Sequence, residues 1–198
     1  MVQTAWLLSL LITYFLLDLH MREGEAILAL QKTSNTDITT GLPNRRSFND
    51  HFDKSYNAAV AILLIDIDDF KSYNDHFGHM EGDSCLSKIG NALSTYMTEN
   101  DIFVARFGGE EFIAVPKDDK AKAAQDYANG IRECIASCAI KTIGSVTPFI
   151  TVSIGISINE YPRRRYGLNM VREADNGLYL AKSQGKNQII MYREQDIQ

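Results

Sequence analysis

The apolar run Ala58–Ile67 (AAVAILLIDI) leads into a cluster of carboxylates, Asp66-Ile67-Asp68-Asp69-Phe70-Lys71. Side chains alternate along a strand, so Asp66 and Asp68 share one face and Ile67 takes the other. Carboxylates at a strand end sit at the rim of a sheet, where a ligand can reach them. Hard divalent cations such as Mg2+ take one or two carboxylates and complete their shell with water and substrate phosphates. A second group is Arg106-Phe107-Gly108-Gly109-Glu110-Glu111-Phe112. Paired glycines permit positive φ and a close backbone approach to a ligand at a hairpin tip. The adjacent carboxylates need a positive partner, and a metal held jointly with Asp66 would supply it while bridging phosphate oxygens. A third group is Lys182 and Lys186, at i and i+4 with Gly185 between them. One helical face would present both ammonium groups to a polyphosphate. Taken singly, each group has an ordinary reading: a solvated strand end, a polar turn, lysines complementing a helix dipole.

The elements that must position these groups follow from periodicity. Arg45 to about Asn57 reads as a helix capped by Asn44 or Ser47, and 58–67 as a strand buried on both faces. Leu86, Ile89, Leu93, Tyr96 and Met97 fall at helical spacing. Ile102–Phe107 and Phe112–Val115 flank the Gly-Gly turn as a hairpin. Ala124, Ala128, Ile131 and Ile135 predict another helix, Phe149–Ile158 a β-branched strand, Leu168 to Ala181 a last long helix, and Asn187–Tyr192 a final strand. The expected fold class is α+β, an α/β sandwich whose central sheet is mixed, mainly antiparallel and flanked by helices.

Charge is distributed unevenly. Residues 1–17 (MVQTAWLLSLLITYFLL) carry no charged side chain. They are expected to form a transmembrane helix, short enough to be truncated at its start, with a buried core helix as the alternative. His20 and Arg22 beyond it fit a cytoplasmic continuation. Residues 18–36 read as a helical linker with coiled-coil spacing, and 37–198 as the globular domain. A formal net charge of −5 argues against a nucleic-acid partner bound through bulk positive charge. Three cysteines with no C-x-x-C argue against a disulfide framework or a zinc site.

Together these groups, in this order, resemble the GGDEF-domain diguanylate cyclases. Gly108-Gly109-Glu110-Glu111-Phe112 is the GGEEF form of the signature. Asp37-Ile38-Thr39-Thr40-Gly41-Leu42-Pro43-Asn44-Arg45-Arg46 resembles the family's D-x-L-T-G-L-x-N-R-R opening. Asp66 to Asp75 is similar to D-x-D-x-F-K-x-x-N-D, and Phe77 to Asp83 to F-G-H-x-x-G-D. Val152-Ser153-Ile154-Gly155, Ala174 to Lys182 and Gly185-Lys186-Asn187 complete the order. The resemblance spans about residues 35–193.

It implies condensation of two GTP into cyclic di-GMP with release of two pyrophosphates. Asp66, the Ile67 carbonyl and Glu110 would hold Mg2+ (Mn2+ as the alternative), two ions per GTP-bound site. Glu110 and Glu111 would be the catalytic carboxylates, Glu111 placing the attacking 3′-hydroxyl or supporting the metal. Asn74 and Asp83 would read the guanine edge. Asp69, Phe70 and Lys71 would offer backbone N–H groups to the phosphates, Gly108 and Gly109 would let the backbone approach the substrate, and Lys182 and Lys186 would clamp the β- and γ-phosphates. One domain holds one GTP, so a homodimer is implied, at the inner membrane with the catalytic domain in the cytoplasm. The rival expectation is a catalytically silent GTP-binding signalling module. The sequence departs from the family pattern at Thr39, at Gly177 (usually Ala, a cost of about 1 kcal/mol in a helix) and at Lys186 (often Arg). An R-x-x-D inhibitory site would fall on Glu99 and Ile102, so product inhibition there is not expected.

Overall fold

A computed structural model describes residues 11–22, 35–55, 61–116, 123–143, 147–158 and 167–192. The chain divides into two units, 1–35 and 36–198. In the first, residues 11–22 are helical (α1), with Leu11, Ile12, Tyr14, Phe15, Leu16, Leu17, Leu19 and Met21 all exposed. Residues 1–10 of the expected membrane span and 23–34 of the expected linker lie outside the described residues. Among the described residues no helix is long and apolar enough to cross a membrane.

The second unit runs α2 (Arg45–Ser55), β1 (Ala61–Ile67), α3 (Phe70–Phe77), α4 (His79–Asn100), β2 (Ile102–Gly108), β3 (Glu111–Pro116), α5 (Ala124–Ser137), β4 (Val152–Ile158), α6 (Gly167–Ser183) and β5 (Ile189–Met191). The sheet order is β2-β3-β1-β4-β5. β1 pairs antiparallel with both β3 and β4, β2 antiparallel with β3, and β4 parallel with β5. The mixed, mainly antiparallel sheet is therefore as expected.

All residues of β1 are buried, because helices cover both faces. Leu63, Ile65 and Ile67 pack with Phe112, Ile154 and residues of α4 and α5. Ile62 and Leu64 pack on the opposite face with Phe48 and Phe52 of α2 and Met170, Ala174 and Leu178 of α6. On β4 the residues turned toward α6 are Ser153, Gly155 and Ser157, and their small size lets the helix lie close. A Cβ on Gly155 would stand 1.9 Å from the Ala174 carbonyl oxygen and 2.3 Å from the Leu178 nitrogen.

Several boundaries differ from expectation. α2 is described as far as Ser55 and β1 from Ala61; residues 56–60, the expected end of the helix and start of the strand, lie outside the described residues. β4 starts at Val152 rather than Phe149: Ile150 N–H bonds instead to the Ile140 carbonyl, and Thr151 turns to Asp68. α3 was not anticipated, although Phe70, Tyr73 and Phe77 have helical spacing. Gly177 does more than weaken α6, since a Cβ there would lie 2.8 Å from the Ile190 carbonyl oxygen and 3.2 Å from Gly155 Cα. Close packing of α6 on the sheet accounts for a residue that propensity disfavours.

Candidate active site

Strand alternation carries Asp66 to the face covered by α6, and Lys182 lies one turn beyond the buried Leu178 on that helix. The two meet: Lys182 Nζ is 2.7 Å from Asp66 Oδ2. Asp66 is also the register partner of Glu111 on β3. Burial pushes the Asp66 carboxyl up to about 6 despite the Lys182 ammonium, and the Glu110 and Glu111 charges push the same way. Glu111 is raised too, mainly by burial and then by Asp175 and Glu110, against the opposing pull of Lys182 and Arg45. Excess negative charge is thus concentrated where the hairpin meets the end of β1.

The turn itself is braced. Register shifts between Arg106 and Gly108, and Gly109 takes φ +51°, the left-handed conformation that glycine tolerates. Arg106 donates from Nε (3.0 Å) and Nη2 (2.7 Å) to the Gly109 carbonyl, and from Nη1 (2.8 Å) to Asp37 Oδ1. Asp37 also accepts from the Thr40 N–H and hydroxyl. Burial works to raise its carboxyl, but the Arg106 and Thr40 donors outweigh it and hold it below the usual range. Arg45 stacks over the Phe107 ring at 4.4 Å, and Asn44 caps α2 by accepting from Ser47 N–H at 3.1 Å. Sequence reasoning missed the Arg106 brace; its one signal was an arginine two residues before the Gly-Gly pair.

Other predicted residues distribute around this point. The Ile67 N–H donates to the Glu110 carbonyl at 3.4 Å, tying the turn to the strand end. Asp68, buried, accepts from Thr151 Oγ1 (2.7 Å), Ser153 Oγ (2.7 Å) and Asn187 N–H (2.9 Å), which makes it an organiser of the rim rather than an open ligand. Asp69 stands before α3 with φ +57° and no side-chain cap, so Phe70 and Lys71 open the helix at its positive end. Asn74 on α3 rests against Gly82 of α4, whose Cβ would come within 1.9 Å of Asn74 Oδ1, and that oxygen is buried without a partner. Asp83 follows and is exposed.

One geometric expectation is corrected. Lys182 and Lys186 do not share a helical face, because α6 ends at Ser183 and Gly185 turns the chain at φ +118°. Lys186 lies in the loop beyond, with Nζ 2.6 Å from Asp69 Oδ1. The ammonium groups still converge on the same strand end, from the helix and from the loop. A cleft of about 190 Å3 opens there between Asp69, Thr147, Thr151 and Gly185–Asn187. At the position of an R-x-x-D inhibitory site, Ile102 is buried at the start of β2.

Residues 34–188 match the family model described as diguanylate cyclase, GGDEF domain. The chain belongs to the GGDEF family. It is 31% identical over 160 residues to a Staphylococcus epidermidis relative named uncharacterized membrane protein SERP0413, covering 78% of this chain and 45% of that one. It is 33% identical over 160 residues to diguanylate cyclase DgcP of Pseudomonas aeruginosa, covering 78% of this chain and 23% of the relative. The chain thus spans less than half the length of these relatives. Among solved structures, the coiled coil and GGDEF domain of DgcB from Caulobacter crescentus in complex with c-di-GMP superposes with TM-score 0.70 at 26% identity, covering 86% of this chain and 92% of that one.

The donor set fits the metal that the family implies. Among the described residues no group of three or more His, Cys, Asp or Glu is arranged to hold a metal. Asp66, the Ile67 carbonyl and Glu110 are oxygen donors where buried negative charge is under-compensated. That suits a hard cation such as Mg2+, which shares its shell with phosphates and water.

Proposed function

We propose that this GGDEF protein is a diguanylate cyclase that condenses two GTP into cyclic di-GMP and two pyrophosphates. The observation that carries the reading is the braced Gly108-Gly109 turn, which sets Glu111 opposite Asp66 with Glu110 beside them and Lys182 at 2.7 Å. Asp66, the Ile67 carbonyl and Glu110 would hold Mg2+ at this point. A cation held there would supply neutralisation of the triphosphate and polarisation of the α-phosphate. Lys182 and Lys186, now on Asp66 and Asp69, exchange those carboxylates for the β- and γ-phosphates when the nucleotide enters. Asp69, Phe70 and Lys71 present backbone N–H groups from the opening of α3. Asn74 and Asp83 read the guanine: a carboxylate accepts from N1–H and the 2-amino group together. Glu111 positions the 3′-hydroxyl.

Each domain holds one GTP, so each 3′-hydroxyl must reach the α-phosphate of a nucleotide on a second copy, which makes the active form a homodimer. Residues 1–17 would attach the chain to the inner membrane, 18–36 would link and pair two copies, and 37–198 would catalyse in the cytoplasm. Support comes from the uncharged N-terminus, the exposed apolar residues of α1 and the membrane-protein name of the staphylococcal relative. The test is turnover of GTP with Mg2+ by the full chain at several protein concentrations, with products separated by chromatography. Cyclic di-GMP rising more steeply than the first power of protein is expected. GTP bound but unconverted at every concentration would instead support the silent signalling module.

A further inference from the structure

We propose that Arg132, outside every motif discussed above, is a positioning residue for the phosphate end of the nucleotide: from α5 it grips the Asn187 carbonyl and so fixes the loop that aims Lys186. The proposal rests on the cyclase reading for its substrate, though not for its geometry. Gly185, Lys186 and Asn187 adopt φ values of +118°, +63° and +48°, a run of left-handed residues of which only the first is glycine. Such a run is costly for residues with a Cβ and persists only where its surroundings hold it. Its inner side is held by short-range bonds, Lys186 N–H to the Ala181 carbonyl at 3.0 Å and Gln184 N–H to the Leu180 carbonyl at 2.9 Å. The Asn187 backbone is gripped from both sides by more distant parts of the chain. Asp68 Oδ2 accepts its N–H at 2.9 Å, and Arg132 Nη1 donates to its carbonyl at 3.1 Å across 55 residues of sequence.

Arg132 is half-buried and its Nε is buried without a partner. An arginine that leaves a donor unsatisfied contributes less to stability than a well-paired one, so the Nη1 bond is what the position provides. Without it, the Asn187 carbonyl loses its outer tether and the loop can relax toward right-handed φ. The Lys186 side chain would then leave the carboxylate-lined rim where the phosphates are to bind. Asp68 cannot be probed cleanly for this role, because it also holds Thr151 and Ser153. Arg132 can.

In the full chain, Arg132→Ala should raise KM for GTP about tenfold, the worth of one hydrogen bond to a charged donor, with kcat changed far less. Arg132→Lys, which can still donate to the Asn187 carbonyl, should recover most of that loss. In the Lys186→Ala background, Arg132→Ala should add nothing, because the residue it aims is gone. A second readout needs no catalysis: amide hydrogen exchange at Lys186 and Asn187 should accelerate about tenfold in Arg132→Ala while the amides of β1 keep their protection. Unchanged exchange at these amides in the alanine variant overturns the proposal. So does a KM effect that adds in full to that of Lys186→Ala. If the wild-type chain neither binds nor converts GTP, the cyclase reading falls and the exchange measurement still decides whether Arg132 holds the loop.

Discussion

Replacing Arg106 by lysine keeps a positive charge at the Gly-Gly turn and removes the planar fork that reaches both the Gly109 carbonyl and Asp37. The arginine makes three bonds of 3.0, 2.7 and 2.8 Å, and its side chain and that of Asp37 are only 15% and 24% exposed. One ammonium can satisfy Gly109 or Asp37 but not both. Two of the three charge-assisted bonds are lost, each worth about 1–1.5 kcal/mol after allowing for the exposure of the Gly109 bonds, which gives a destabilisation of about 2–3 kcal/mol. In a domain of this size that corresponds to a fall in Tm of about 4–12 °C. Urea unfolding of the full chain measures the first quantity and calorimetry the second.

The same pair has a pH signature. Asp37 is held below its ordinary range in the folded state. A carboxyl lowered on folding stabilises the protein above its unfolded pKa, and that stabilisation disappears as pH falls through the lowered folded value. The wild type should therefore lose this increment on acidification, and Arg106→Gln should show a flatter loss over the same acid range. Turnover should fall too, even at low temperature where the variant remains folded, because the turn that carries Glu110 and Glu111 loses its brace. An Arg106→Lys variant within about 0.5 kcal/mol of wild type, the usual scatter of surface changes, would refute the reasoning.

Other consequences can be checked separately. Gly155→Ala puts a Cβ within 1.9 Å of a helix backbone that cannot rotate away; it should cost about 3 kcal/mol, whereas Gly108→Ala, which meets no atom within 4 Å, should leave the urea midpoint nearly unchanged. Burial pushes the Cys85 thiol up to about 12, so peptide mapping after maleimide treatment at pH 8 should find Cys85 unmodified in the native protein and modified after denaturation. Asp83→Ser should relax the preference for GTP over ATP in competition assays, and an unchanged ratio would remove Asp83 from base recognition.

Much of the frame was legible because it rests on local pattern. The β1 run has no polar residue before Asp66 and had to be covered on both faces. The Gly-Gly pair between short apolar runs indicated the hairpin. What stayed hidden depended on distance in sequence or on packing. Arg106 and Asp37 are 69 residues apart, and no periodicity connects them. α3 has eight residues and no side-chain cap, too short to register as a periodic segment beside the carboxylates. Lysine spacing of i and i+4 suggested one helical face, but Gly185 ends that geometry with a positive φ. At Gly177 propensity predicted only a cost, because the nearby Ile190 carbonyl and Gly155 become visible only once α6 is docked.

Cyclic di-GMP formation by Glu110→Ala beside the wild-type chain, at equal concentration with GTP and Mg2+, tests the central claim most directly. The account predicts no product from the variant, with a melting temperature matching wild type because Glu110 is half-exposed at the hairpin tip. Full synthesis by the variant would contradict the assignment of the Gly108-Gly109-Glu110-Glu111 turn as the catalytic centre.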